Sequence, residues 1–440
     1  MTQRTIKLTN FLLTSLAFFI FISQSAFSDD LITNTRLKNW IKANTDKLPE
    51  VVINEDGGIE NTTENLEALA KIEELNCIYG NLISIDELIR HMPNLKKLMC
   101  YKNALIELDL SNNIKLEVLN CYNSQLTSLD VSKNIKLTHL YCYENLLTNL
   151  DISKNIELVW LECYTNQLSS LDVSNNIELK TLMCSVNPLI NLDVSKNIKL
   201  EVLYCYANQL SILDLSNNVE LKTLMCSDNQ LTNLDVSNNI KLTHLDCNNN
   251  QLNTLDISNN IKLTYLSCSQ NQLTNLDLTN NLELGGLSCS ENQLINLDVS
   301  KHIKLTQLHC NNNQLTSLDI SPIPYLRLLS CCNQAEGFIL YLTKEQKSRF
   351  TEKDYCSAIL KEEKSICEIE WLDIHPNPTA DKFFIESKFF DDEIKILNLA
   401  GEVLYREILN TEKTEIDISN LPAGVYFVIT KGKIGKVVKN

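Results

Sequence analysis

Glycine is scarce in this sequence, with ten in 440 residues. No glycine-rich loop able to cradle a phosphate is present, and neither HExxH nor GxSxG occurs. Clustered basic charge is missing as well, and the formal net charge is −16. Affinity for phosphates rests mainly on lysine and arginine, so the sequence argues against nucleic acid as a partner. Long apolar runs are absent with one exception: FLLTSLAFFIFI, from Phe11 to Ile22, preceded by Arg4 and Lys7 and followed by small residues at Ala26 and Ser28. A run that short between such flanks reads as a secretory signal peptide over residues 1–28. No other stretch approaches the roughly 18 apolar residues a spanning helix needs, so no transmembrane helix is expected in the mature chain.

Cysteine, leucine and asparagine are plentiful, and they recur. Cys100, Cys121, Cys142, Cys163, Cys184, Cys205, Cys226, Cys247, Cys268, Cys289, Cys310 and Cys331 fall at an unbroken interval of 21, and Cys77 precedes them by 23. Each closes an LxxLxC phrase such as LEVLNC (116–121) or LTYLSC (263–268), the first beginning with Ile72. Each unit continues as xxNQLTxLDVSxNIx. Two short apolar segments per 21 residues, separated by asparagine-rich turns, describe one coil of a solenoid, with thirteen coils between residues 72 and 331. One coil cannot cover its own apolar side, but a stack shares a continuous core.

The phrase LxxLxCxxNQLTxLDVSxN resembles the bacterial leucine-rich repeat of the short, 21-residue type, with cysteine where leucine is usual. The resemblance implies a horseshoe or arc with a concave parallel β-sheet and little helix on the convex side. It spans residues 72–331. The chain on either side reads as caps, helical at 29–71 around Trp40 and Leu69, and at 332–370 around TKEQKSRFTEKD. Pro322 and Pro324 mark where the repeat dissolves.

Alternation along a strand places successive side chains on opposite faces. In LTHLYC, Leu140 and Cys142 share one face, and His139, Tyr141 and Tyr143 the other. The leucines must be inside, so the cysteines are too, and a column of reduced, buried thiols is expected. Disulfides between neighbouring coils or a metal site are the alternatives. Cys332, Cys356 and Cys367 lie outside the column, and Cys356 with Cys367 is the pairing expected among them. Asn103, Asn145, Asn166 and their successors to Asn313 follow their cysteines by three, with Ser124 the internal break, and are expected to join adjacent coils. Eleven aspartates from Asp109 to Asp319 form another row. Each is expected to accept hydrogen bonds from its own DxS turn, with calcium binding along the row as the alternative.

The tail, residues 371–440, alternates apolar and polar positions between proline, glycine and asparagine turns, which reads as a small β-sandwich. It resembles the C-terminal sorting domain of the type IX secretion system in PNP (Pro376 to Pro378), NLAGEV (Asn398 to Val403), LPAGVYFV (Leu421 to Val428) and the terminal Lys433, Lys436 and Lys439. The resemblance implies the type IX machinery as a partner and a secreted protein, at the outer-membrane surface or extracellular. A binding module is the other reading of such a tail.

The histidines supply no catalytic pair. His139 and His244 face away from Cys142 and Cys247, and His309 alternates with Cys310, so a base cannot reach a thiol. No enzyme activity, cofactor or metal is expected. The outward positions are more informative. Tyr101, Tyr122, Tyr143, Tyr164 and Tyr206 follow their cysteines directly, while Tyr141 and Tyr204 precede theirs, with Trp160 two positions further back. Met99, Met183 and Met225 share this face; the residue after the cysteine is Ser185 between Tyr164 and Tyr206, and Ser227, Asn248, Ser269, Ser290 and Asn311 further on. These aromatics either stabilise the sheet by same-face pairing or form a patch that binds a protein or a glycan, as in adhesion or host interaction. A structural spacer or envelope component without a specific ligand is the alternative function.

Overall fold

A computed structural model of the chain describes residues 33–53, 55, 57–59, 61–362, 370–371, 374–386, 392–399, 402–409, 413–430 and 433–440. The segment read as a signal peptide and Cys367 lie outside the described residues. The chain divides into two compact units, 1–262 and 263–440.

In the first unit, nine three-residue strands run from Glu74–Asn76 to His244–Asp246. Each pairs parallel with its successor, leucine against leucine, as in Leu75 with Leu98, Leu119 with Leu140 and Leu224 with Leu245. The second unit repeats the arrangement with Tyr265–Ser267, Gly286–Ser288, Gln307–His309 and Leu328–Ser330. Burial follows the alternation expected of a strand with one buried face: Leu140 and Cys142 are inside, His139, Tyr141 and Tyr143 only half covered.

The strands stop after three residues because the chain turns left-handed two positions past each cysteine. Lys102, Asn123, Glu144, Thr165, Val186 and Ala207 have φ between 50° and 55°, a region that favours glycine, yet none of them is glycine. The conformation is held from the next coil: the Glu144 amide donates to the Tyr164 carbonyl at 3.0 Å and that of Val186 to Tyr206 at 2.9 Å. Scarcity of glycine is thus compatible with a turn in every coil.

The second leucine segment of each coil departs from a strand. Among the described residues it joins a ladder only at Ser317–Asp319, which pairs with Ile339–Leu342, itself paired with Ile359–Glu362. Elsewhere an asparagine two residues after the serine or threonine of the turn links the coils, with the buried His302 in its place in one coil. Asn176 is fully buried, and its Nδ2 donates to the carbonyls of Ile152 (3.1 Å) and Asn155 (2.9 Å); Asn134, Asn155, Asn197, Asn218 and Asn239 repeat this. An amide therefore does here what a sheet ladder does on the other side. The 23-residue first interval holds the extra residues in a short helix, Asp86–Ile89.

Helices cover both ends of the repeat. Helices Thr33–Ala43 and Thr63–Ala70 precede the first strand and bury Trp40 and Leu69. After the last coil, helix Lys344–Arg349 starts from a Thr343–Gln346 capping box. The Gln346 amide donates to the carbonyls of Ile320 and Ile323, so a glutamine from the helix takes the place of the next turn asparagine.

The tail forms two sheets. One holds Glu370–Trp371, Lys433–Lys439, Gly424–Thr430, Asp392–Leu397 and Val403–Leu409 in that order; the other holds Ile374–His375, Lys382–Glu386 and Lys413–Asp417. Phe383, Ile385 and Ile416 from one meet Ile394, Ile396, Val428 and Val437 from the other in a shared core. Lys439 is buried there, its Nζ donating to the carbonyls of Ile418, Ser419 and Leu421 at 2.7–2.8 Å with Asp381 Oδ1 3.4 Å away, which pins the final strand.

Candidate functional site

Three rows of the coil, two buried and one exposed, have structural roles. The thirteen cysteines from Cys77 to Cys331 are buried and not joined in disulfides. Burial pushes the thiols of Cys77, Cys121 and Cys184 up to about 12, far from the range of a reactive thiolate. The asparagines three past each cysteine join coils as expected: Asn187 Nδ2 donates to the carbonyls of Cys163 and Cys184, both at 3.1 Å, and its Oδ1 accepts from Leu168 N at 3.0 Å. In the last coil Gln334 replaces asparagine with the same partners, Cys310 O and Leu315 N. Each aspartate from Asp109 to Asp319 accepts from the amide two residues on, Ser132 N to Asp130 Oδ1 at 2.9 Å for example. The serine hydroxyl and amide together hold Asp130 and Asp172 below the usual carboxylate range. Among the described residues no three histidine, cysteine, aspartate or glutamate side chains are grouped to hold a metal ion.

The expected Cys356–Cys367 bridge is replaced by Cys332–Cys356, with Cα atoms 5.2 Å apart. Cys332 follows the last strand, and helix Glu352–Tyr355 delivers Cys356 beside it; the Cys331 amide bonds to the Asp354 carbonyl at 2.8 Å. Sequence spacing alone does not contain this juxtaposition.

The outward face is built differently. Tyr101, Tyr122, Tyr143 and Tyr164 form a continuous stack, with ring centroids 4.5, 4.3 and 4.2 Å apart and planes within 13° of parallel. Tyr79 closes one end edge-on, 6.0 Å from Tyr101, and Lys102 Nζ donates to the Tyr79 hydroxyl at 3.0 Å. The neighbouring row joins Tyr141 and Trp160 through His139, whose ring lies 6.3 and 6.5 Å from theirs. Burial lowers the His139 pKa, favouring the neutral ring. Tyr206 follows Tyr164 two coils on, with the small, buried Ser185 between them in the row. Tyr204 sits outward between Met183 and Met225, one strand away on either side. The structure thus gathers six of the eight aromatics read from the sequence into two adjoining rows and leaves Tyr204 and Tyr206 further along.

One outward residue was not singled out from the sequence. Glu162 lies between Tyr141 and Met183 on the adjacent strands, half buried, and accepts the Trp160 indole N–H at 2.7 Å. Burial raises its pKa against the smaller opposing effect of the indole. WLEC carries the signal: applying the alternation rule to charge as well as to aromaticity picks out this glutamate.

Residues 373–440 match the family described as a secretion system C-terminal sorting domain. No curated protein matches the chain in sequence. Among solved structures, the functional domain of InlJ from Listeria monocytogenes, described as including a cysteine ladder, is 27% identical, covers 85% of this chain and 91% of its own, and superposes with a TM-score of 0.61. An internalin from the same organism, InlF, is 21% identical over 77% of this chain and all of its own, with a TM-score of 0.64. A leucine-rich-repeat protein of Leptospira interrogans is 22% identical over 68% of this chain and 86% of its own, at 0.54. No helix among the described residues is long and apolar enough to cross a membrane. By fold this is a leucine-rich-repeat solenoid, and its tail is a sorting domain that marks a protein delivered by type IX secretion to the cell surface or the extracellular space.

Proposed function

We propose that this secreted repeat protein binds a protein ligand, without catalysis, through the aromatic face formed by Tyr101, Tyr122, Tyr141, Tyr143, Trp160, Tyr164, Tyr204 and Tyr206. One observation carries the reading: the fold does not require those rings. Gln270 N donates to Ser290 O at 2.8 Å where Glu144 N donates to Tyr164 O at 3.0 Å, so coils with serine at this position keep the same backbone bonds. Half-buried tyrosine and tryptophan in a run are the residues most enriched where proteins meet.

Stacking also bears on the class of ligand. The faces of Tyr122 and Tyr143 are covered on both sides by neighbouring rings, which leaves edges and hydroxyls to solvent. A sugar ring that packs on an open aromatic face finds none in the middle of this column, which favours a protein over a glycan. The same stacking supports a second reading, a structural spacer in which the rings stabilise the sheet. A pull-down with the full chain beside a variant carrying Tyr122→Ser, Tyr143→Ser, Tyr164→Ser and Tyr206→Ser separates the two, once circular dichroism shows both folded. A partner held by the parent and lost by the variant is the expected result. Identical retention by both, or by neither, gives the spacer reading the advantage.

A further inference from the structure

The six coils whose outward residues run from Val118 to Ser227 present three positions each on their strands and at the residue after the cysteine. Of these eighteen, Glu162 alone is a formally charged acid or base, with Lys97 outward one coil before this span and Asp246 one coil after it; His139 is the only other ionisable group besides the tyrosines, and burial favours its neutral form. The rest are tyrosine, methionine, valine, threonine, serine, asparagine and one tryptophan.

An isolated carboxylate in such a field is costly, because burial disfavours its charge unless something compensates. The compensation present is a single hydrogen bond, from the Trp160 indole to Oε1. Among the described residues no lysine or arginine pairs with Glu162, whereas glutamates elsewhere on the coils do find lysines: Glu178 with Lys199, Glu201 with Lys222 and Glu220 with Lys241, each at 2.5 Å. Glu162 lacks the lysine one repeat away that these three glutamates have. The surroundings of Glu162 suit a cation. Tyr141 flanks it in register, and burial, with a smaller contribution from the Glu162 charge, raises the hydroxyl pKa of Tyr143 and Tyr164.

We propose that Glu162 is the anchor of the binding face and receives an arginine side chain from the protein partner. A guanidinium can donate to the carboxylate while its plane lies against a ring, and it is less strongly hydrated than an ammonium, so entering a half-buried site costs it less. The overall charge of −16 favours encounter with a basic surface. The inference rests on the concave-face reading above and narrows it to a partner that inserts one arginine among the rings.

The test uses the full chain with its tryptophan indoles labelled with nitrogen-15, the Trp160 signal being assigned by its loss in Trp160→Phe. That indole proton lies on the Glu162 carboxylate and reports directly on it. N-acetyl-arginine amide is titrated beside N-acetyl-citrulline amide, which has nearly the same shape without the charge, and N-acetyl-lysine amide. The expected result is a saturable shift with arginine amide, about tenfold weaker binding of citrulline amide, lysine amide between them, and no preference for arginine in a folded Glu162→Gln variant. Absence of a saturable shift in the parent, equal binding of citrulline, lysine equal to arginine, or an unchanged preference in Glu162→Gln overturns the proposal. A pull-down partner lost by the four-tyrosine variant but kept by Glu162→Gln also overturns the anchor while leaving the aromatic face standing.

Discussion

The inside and the outward face of a coil obey different rules. Inside, one residue type holds each register with few departures: leucine, cysteine, the asparagine after the cysteine, the asparagine of the turn. On the strand's outward side, the position before the cysteine reads Met99, Asn120, Tyr141, Glu162, Met183, Tyr204, Met225 and Asp246 in successive coils. Burial in a shared core accounts for the constancy of leucine and cysteine, and hydrogen bonding for that of the asparagines, whose side-chain amides each match carbonyls of two coils at once. Nothing in the backbone prescribes the outward residues. A pattern there, such as four stacked tyrosines or a carboxylate set among them, is not dictated by the backbone hydrogen bonds.

Breaking an inner residue should therefore cost stability far more than breaking an outward one. Asn187→Ala removes the acceptor for Leu168 N and donors to two carbonyls, all within a buried turn. We expect a loss of about 3 kcal/mol, since an unsatisfied buried amide costs about 1–3 kcal/mol beyond the bonds themselves. Tyr143→Ser, which removes two stacked neighbours from a half-exposed row, is expected to cost about 1 kcal/mol. Urea denaturation of the two variants checks the ordering, and equal losses would mean the tyrosine column is as structural as the amides.

The same division explains what the sequence made legible. The 21-residue period, the inward cysteines, the asparagines after them and the DxS turns follow from spacing and alternation, because each is a local rule repeated many times. The turn asparagines of the Asn176 type escaped, since SxN reads as an ordinary turn until the coil before it supplies two carbonyls 21 and 24 residues back. The Cys332–Cys356 bridge escaped for a related reason: it depends on where a short helix docks, which no period encodes. Left-handed residues went unseen because the usual marker, glycine, is absent and an inter-coil bond substitutes for it. At the candidate site the aromatics were visible, but Glu162 becomes conspicuous only once its neighbours on adjacent strands are known.

An inner row with a missing member offers a gain rather than a loss. Ser124 stands where asparagine belongs, and its Oγ is buried without a hydrogen-bond partner. An asparagine there would stand as Asn145 does, with Nδ2 toward Cys100 O and Cys121 O and Oδ1 toward Leu105 N, by analogy with Cys121 O, Cys142 O and Leu126 N. Ser124→Asn is expected to stabilise the solenoid by about 1 kcal/mol, read as a higher urea midpoint at constant slope. A destabilised variant would mean that the coil has relaxed around serine and no longer offers those partners.

The smallest effect expected lies where the inner and outward rules meet, at the left-handed residue. Its amide is committed to the next coil, but its side chain is free to vary, and the series contains lysine, glutamate, threonine, alanine and valine. Val186 is the hardest case, because a β-branched side chain fits this conformation poorly. Four other coils hold asparagine there, at Asn123, Asn249, Asn312 and Asn333, and asparagine tolerates the conformation through its short polar side chain. Val186→Asn is expected to add about 0.5 kcal/mol and to leave the Val186 amide's bond to Tyr206 O in place. Amide exchange at residue 186 is the measurement that divides the outcomes. Slower exchange with higher stability means the inter-coil bond had been working against the side chain. Unchanged exchange and stability mean that bond alone fixes the turn, and that side-chain choice at this position is as unconstrained by the fold as the tyrosines beside it.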